Sequence, residues 1–228
     1  MFSEIKKNKI IIVVGHYGSG KTNVAVNLAI ELKKRAKNVT LIDLDIVNPY
    51  FRAADAKNSL ALKGIDSIIP EFANSNVDLP SLPAQINTVF DTLRDNPEYD
   101  GYYIFDVGGS DGAVALGMYN RQINECGYDM FCVINKYRPL TSTPEDTVED
   151  MREIEQYSRL SVTGMINNSS VGVETDEKYI TESIEYAEKT ASLAGVPLLF
   201  TSYIPSSKID FSGKGKFFKM ENATKQLF

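Results

Sequence analysis

The chain is short of cysteine, of histidine and of long apolar runs, and two of these shortages narrow what it does. Cys126 and Cys132 are its two cysteines in 228 residues. They cannot build a disulfide framework and do not form a C-x-x-C pair, so a reducing, cytoplasmic setting is expected. The longest unbroken aliphatic run is Ile10 to Val14, against the ~20 apolar residues that span a bilayer. Met1 to Lys9 leads into that strand-length run and not into a signal peptide, and neither repeats nor low-complexity segments interrupt the chain. The net charge of −6 argues against a surface that binds nucleic acid throughout. Charge is nevertheless uneven. Residues 1–40 carry eight Lys/Arg and two Glu, whereas residues 141–190 carry twelve acids and four bases.

What is present is a globular composition, 43% apolar and 24% charged, arranged as alternating short β-branched runs and longer amphipathic stretches. Strands are expected at residues 10–14, 39–42, 102–105, 130–134, 162–166 and 198–200. Helices are expected after the first strand and at 53–62, 84–94, 144–157 and 177–194. The start at 144 is marked by Thr143-Pro144-Glu145-Asp146, a capping hydroxyl followed by proline at the first helical position and acids in the first turn. Continuous apolar strands separated by helices predict an α/β fold with a doubly wound, mostly parallel sheet covered on both faces. A single domain over 1–228 is expected, with its core at about 9–206 and a tail at 207–228.

Gly15-His16-Tyr17-Gly18-Ser19-Gly20-Lys21-Thr22 fits the phosphate-loop pattern G-x-x-x-x-G-K-[ST]. Glycines let the chain turn so that successive N–H groups face a phosphate chain, and the helix that follows adds its positive end. Lys21 is expected at the β- and γ-phosphates and the Thr22 hydroxyl on Mg²⁺; Asn23 continues the same binding segment. A random chain of this length would show the pattern on the order of 1% of the time. His16, the only histidine, falls inside this loop.

Two acidic motifs follow. Asp106 closes a strand and leads into Val107-Gly108-Gly109. It is placed to hold Mg²⁺, with the Gly109 amide at the γ-phosphate and a glycine loop over 107–112. Asp43-Leu44-Asp45 closes the second strand, where strand alternation predicts both carboxylates on one side of the tip. The turn-forming run 46–52 that follows, with Arg52, is a candidate switch segment.

In this order the motifs resemble those of the MinD/ParA/nitrogenase-iron-protein superfamily of P-loop ATPases over roughly residues 9–206. Asp43-Leu44-Asp45 is similar to that group's D-x-D, Asp106-Val107-Gly108-Gly109 to its second switch, and Gly164-Met165-Ile166-Asn167-Asn168 to its G-h-h-x-N strand end. The resemblance implies an ATP/ADP and Mg²⁺ switch in which Asp45 positions water, Asp43 supports the first switch and Asp106 sits in the Mg²⁺ shell. Asn168 would read adenine, and the segment ending at Pro205 would close over the base. It also implies an ATP-dependent homodimer and a protein partner. One departure stands out: the family's signature lysine is replaced by His16 and the next glycine by Tyr17, leaving His16, Arg52 or Arg138 to take its place. The run 43–52 looks like that of an uncharacterised bacterial subgroup. An iron–sulfur site is not expected, since Cys126 lies outside the Asp106 loop and Cys132 within an apolar strand.

The alternative is a small-molecule ATP-dependent synthase or kinase similar to dethiobiotin synthetase or the CobB enzymes. The loop 68–83, with Asn74, Asn76 and Asp78, or else Asp111, would then bind a small-molecule acceptor. GTP is disfavoured, because Asn135-Lys136-Tyr137-Arg138 carries arginine where a guanine-reading aspartate would sit. Lys214 to Met220 mixes bases with aromatics but has no sustained helical stripe, so packing on the domain is expected there and membrane contact is not.

Overall fold

A computed structural model describes residues 8–45, 54–69, 85–206, 208–211 and 216–223. The switch run with Arg52, most of the acceptor loop with Asn74, Asn76 and Asp78, and Lys214 lie outside the described residues.

Among the described residues, eight strands form one sheet: β1 (Ile10–Val14), β2 (Asn38–Asp43), β3 (Asp66–Ile68), β4 (Gly101–Asp106), β5 (Tyr128–Ile134), β6 (Gly164–Asn167), β7 (Leu198–Tyr203) and β8 (Phe217–Lys219). Their order is β3-β2-β4-β1-β5-β6-β7-β8, and every neighbouring pair is parallel. The helices are α1 (Lys21–Lys33), α2 (Ala54–Leu62), α3 (Gln85–Asp95), α4 (Gly109–Gly117), α5 (Asn120–Cys126), α6 (Pro144–Ser158) and α7 (Glu177–Ala194).

The two faces follow from the pleat. Ile10, Ile12 and Val14 pack into one buried cluster with Ile86, Phe90, Leu116, Met151, Ile154 and Ala187, under α3 to α7. Ile11 and Val13 point the other way, to Val24, Leu28 and Leu32 of α1, Leu60 of α2, and Phe218 and Met220 near the C-terminus. A strand buried on both faces is apolar at every position, which is why β1 reads as an unbroken aliphatic run. The helix ends obey local chemistry. Thr143 caps α6 by accepting from the Asp146 amide, and Asp176 caps α7 by accepting from the Lys178 and Tyr179 amides.

Four elements were not expected from sequence. β3 is a three-residue edge strand, β8 extends the sheet beyond residue 206, and α4 and α5 fill the stretch between β4 and β5. The expected glycine loop over 107–112 is in fact the start of α4: Gly109 is its first residue and Gly112 lies inside it. Ala113 and Leu116 of this helix are buried in the α3–α7 cluster, and that burial outweighs the poor helix propensity of its glycines. No helix among the described residues is long and apolar enough to cross a membrane.

The order of the strands locates the site. From β1 the chain builds to one side through β2, β3 and β4, then crosses to the other side for β5 to β8. The direction reverses at β1, and in open parallel sheets ligands bind at the carboxyl ends of the strands flanking such a reversal.

A candidate nucleotide site at the carboxyl end of β1

The glycine loop leaves the end of β1 and enters α1. Gly15 has φ +138° and Gly20 φ +86°, both in the region that favours glycine. Neither could carry a side chain: a Cβ on Gly15 would run into the Val133 carbonyl, and one on Gly20 into the Asn168 amide. Gly20 stands at the cap of α1 with no side-chain hydrogen bond, so the amides of the first turn keep their donors and the dipole's positive end is bare. Ser19 is buried, and its hydroxyl has no hydrogen-bond partner among the described residues.

Lys21 is buried at the root of this loop, and its ammonium donates to the His16 carbonyl at 3.1 Å. Burial lowers its pKa, opposed by the charges of Asp106, Asp45 and Asp150 and by Cys132. Asp106 faces it from the end of β4, paired in register with Val13 on one side and Asp43 on the other. Both oxygens of the Asp106 carboxylate are buried without a hydrogen-bond partner among the described residues. Burial pushes this carboxyl up to about 6; the Thr22 hydroxyl and Lys21 pull it down, and Asp45 pushes it up. Thr22 lies alongside without closing a hydrogen bond of normal geometry. A carboxylate orphaned in this way beside a threonine hydroxyl fits a hydrated divalent cation. The protein adds few other donors, since no group of three or more His, Cys, Asp or Glu could hold a metal among the described residues. Such a cation would take its remaining oxygens from phosphates and water, the usual arrangement for Mg²⁺.

The two acids at the tip of β2 do not both lie in the strand. The strand ends at Asp43, so alternation does not reach Asp45. The buried Asp43 carboxylate accepts from the Asp45 amide at 2.9 Å and fixes the turn. Between them, the Leu44 amide donates to the Asp106 carbonyl at 2.8 Å, tying the tips of β2 and β4 together. Asp45 packs against Gly108, where a Cβ would strike its carboxyl carbon. Gly109, at φ +54°, has open space on the side where a Cβ would stand.

A cavity of about 310 Å³ runs from Gly18, Ser19 and Gly20 past Asn23 to the ends of β5, β6 and β7. Asn168 is in its wall, but its amide is already engaged: Nδ2 donates to the Ser19 carbonyl at 2.8 Å and Oδ1 accepts from the Ser202 hydroxyl at 2.7 Å. Asn168 thus braces the glycine loop against β7 from within the cavity wall. The segment around Pro205 borders two hollows. Ile204 and Ser206 line the cavity, whereas Pro205 lines a neighbouring groove of about 580 Å³ with Phe218 and Lys219. Asn23 is in the cavity wall, but its side-chain oxygen accepts from the Ala223 amide at 2.9 Å.

At the signature-lysine position the side chain is turned toward α6. His16 Nδ1 lies 2.9 Å from the Asp150 carboxylate on α6, and Arg138 Nε donates to the Gly18 carbonyl at 2.7 Å. Tyr17 is largely exposed. Sequence reasoning missed Asp150 and Ser202. Their partners are distant in the chain, and no spacing pattern links them.

A family model for ParA, described as NUBPL iron-transfer P-loop NTPase, matches residues 5–87. Solved structures align over 86% of the chain. The signal recognition particle 54 kDa protein of Aeropyrum pernix K1, in complex with GDP, is 19% identical with a TM-score of 0.55 over 41% of its own length. FtsY of Thermotoga maritima is 20% identical with a TM-score of 0.52 over 61% of its length. Chloroplast FtsY of Physcomitrella patens is 15% identical with a TM-score of 0.56 over 58% of its length. The chain has the P-loop NTPase fold. It spans less than two thirds of each of these proteins, and at such identities the likeness is one of fold. No match is found among curated proteins.

Proposed function

We propose that the protein is a Mg²⁺-dependent, ATP-binding switch ATPase of the MinD/ParA type, read by a protein partner. The observation that carries this is the meeting of the uncapped α1 terminus and buried Lys21 with the orphaned Asp106 carboxylate. These are donors for a polyanion next to an acceptor for its cation.

In this reading the amides of Gly18 to Thr22 wrap the phosphates and Lys21 leaves the His16 carbonyl for the β- and γ-phosphates. Thr22 and Asp106 hold Mg²⁺, which supplies charge neutralisation at the phosphate oxygens when bound. Asp45 positions the attacking water, and Asp43 acts through it by holding the turn. The Gly109 amide receives the γ-phosphate from the start of α4. The rate such a site delivers comes from positioning and electrostatics.

Adenine is chosen over guanine because the cavity wall carries no carboxylate among the described residues. Guanine presents adjacent N–H donors that a carboxylate pairs well. The Aeropyrum protein holds GDP, so GDP is the competitor to test. The ATP-bound form is proposed to pair face to face with a second copy. The iron-transfer part of the family description is not included, because Cys132 is buried in β5 and its thiol is pushed up by that burial. Calorimetry with Mg-ADP, Mg-ATP and Mg-GDP tests the reading. Adenine nucleotides should bind more tightly than GDP, and Lys21→Ala should abolish binding. Unchanged affinity in Lys21→Ala rejects the site, and a preference for GDP rejects the base assignment.

A further inference from the structure

Two asparagines on α1 do something the phosphate loop does not need. Asn23 and Asn27 lie one helical turn apart and both are buried. Asn27 grips a single residue of the C-terminal segment from both sides: its Oδ1 accepts from the Glu221 amide at 2.7 Å, and its Nδ2 donates to the Glu221 carbonyl at 2.9 Å. Asn23 accepts from the Ala223 amide at 2.9 Å. The two side chains stand in for a neighbouring strand, pairing alternate amides of residues 221–223. The rest of the segment is anchored too. The Met220 amide donates to the Tyr203 carbonyl at 2.8 Å, Phe218 and Met220 are buried against α1, and the Glu221 carboxylate pairs with Lys63 at 2.7 Å.

Between the two gripped residues is Asn222, an exposed side chain in the wall of the cavity that opens from the glycine loop. Asn222 and Ile204 also line the outer groove, so this stretch is the partition between cavity and groove. Buried asparagines cost free energy unless every polar atom finds a partner. Here they meet that cost by holding main chain at the rim of the site.

We propose that residues 221–223 form the nucleoside side of the nucleotide cavity, with Asn222 contacting base or ribose and Asn27 as the positioning residue that holds it there. An asparagine amide offers both donors and acceptors to the polar edge of a nucleoside. The inference rests on the nucleotide reading above. It goes further by assigning recognition to a segment nearly 200 residues away from the phosphate loop.

The test separates nucleoside from phosphate. ADP, GDP and inorganic tripolyphosphate are titrated by calorimetry into the full chain, the Asn222→Ala variant and the Asn27→Ala variant. The loss of one neutral hydrogen bond weakens binding about fivefold. Asn222→Ala should weaken the preferred nucleoside diphosphate by about that factor and leave tripolyphosphate unchanged. Asn27→Ala should do the same, and should speed amide exchange at Glu221 and Ala223. In the unaltered chain the diphosphate should slow exchange at those amides and tripolyphosphate should not. Nucleotide affinity within twofold of the unaltered chain in Asn222→Ala overturns the proposal, as does an equal loss for tripolyphosphate. Asn222 is exposed, so its variant will fold even if Asn27→Ala does not. Failure of the unaltered chain to bind either nucleotide or tripolyphosphate would overturn the phosphate-site reading itself, a separate result.

Discussion

Replacing Asp106 by asparagine should make the metal-free, nucleotide-free protein relatively more stable as pH rises. In the folded chain this carboxyl titrates at about 6 against 3.8 for an ordinary aspartate, chiefly because it is buried. The folded state therefore holds its proton more tightly than the unfolded state. Stability from this group is fully present below pH ~4 and is lost as pH rises through about 6. At ~1.4 kcal/mol per pH unit, the charged form costs the fold about 3 kcal/mol near neutrality. Asp106→Asn removes the titration. The buried amide brings a penalty of its own, about 1–3 kcal/mol if unpaired, but that penalty does not depend on pH. The clean observable is hence the slope. Between pH 4 and pH 7 the stability difference, variant minus native, should rise by about 2–3 kcal/mol, equivalent to a melting-temperature gap that widens by roughly 5–10 °C for a chain of this size. Urea denaturation with EDTA, at matched ionic strength and at several pH values, measures it. A difference that stays flat from pH 4 to pH 7 would refute the reasoning, whatever its absolute value.

Two further predictions concern neighbouring groups. Asp45→Ala should keep nucleotide affinity and reduce hydrolysis by about 10²-fold or more, as expected when a positioning group is lost; normal turnover in a single-turnover assay would remove Asp45 from that role. Cys132 is buried with its thiol pushed up by desolvation, whereas Cys126 is only partly covered. A thiol reagent at pH 8 should therefore modify one cysteine in the native protein and two after unfolding. Modification of Cys132 in the folded protein would contradict its place in β5.

What could be read from the sequence depended on how local the cause was. β1 is apolar at each position because both faces are buried, and the glycine loop shows itself through steric demands at Gly15 and Gly20 that only glycine meets. The cap residues Thr143 and Asp176 act within their own helix turn. Misreadings arose where a distant partner decides. Gly108, Gly109 and Gly112 spell a loop by propensity, yet Ala113 and Leu116 are pulled into the core and a helix forms around them. The contacts of Asn168 with Ser19 and Ser202 are equally hidden from the sequence, since both partners lie far from it in the chain. Residues 221–223 have no strand pattern, because the groups that pair with them are side chains of a helix.

Among the described residues, two buried side chains near the phosphate loop lack hydrogen-bond partners, the Ser19 hydroxyl and the Asp106 carboxylate, beside a first turn of α1 that no side chain caps. Each costs the folded chain free energy, and a natural fold retains such costs where binding repays them. The repayment should itself appear as stability. A nucleotide at 100 times its dissociation constant adds about 2.7 kcal/mol, or roughly 5–10 °C in melting temperature for this chain length. Adding Mg²⁺ to nucleotide should raise the midpoint further, because the cation meets the orphaned carboxylate. That second increment must weaken as pH falls below about 6, where a proton holds Asp106 in place of the metal. Thermal melts with nucleotide, with and without Mg²⁺, at pH 7.5 and pH 5 measure it. A Mg²⁺ increment of equal size at both values would mean that the cation does not use Asp106. The buried charge at the end of β4 would then have to be explained by something other than metal binding.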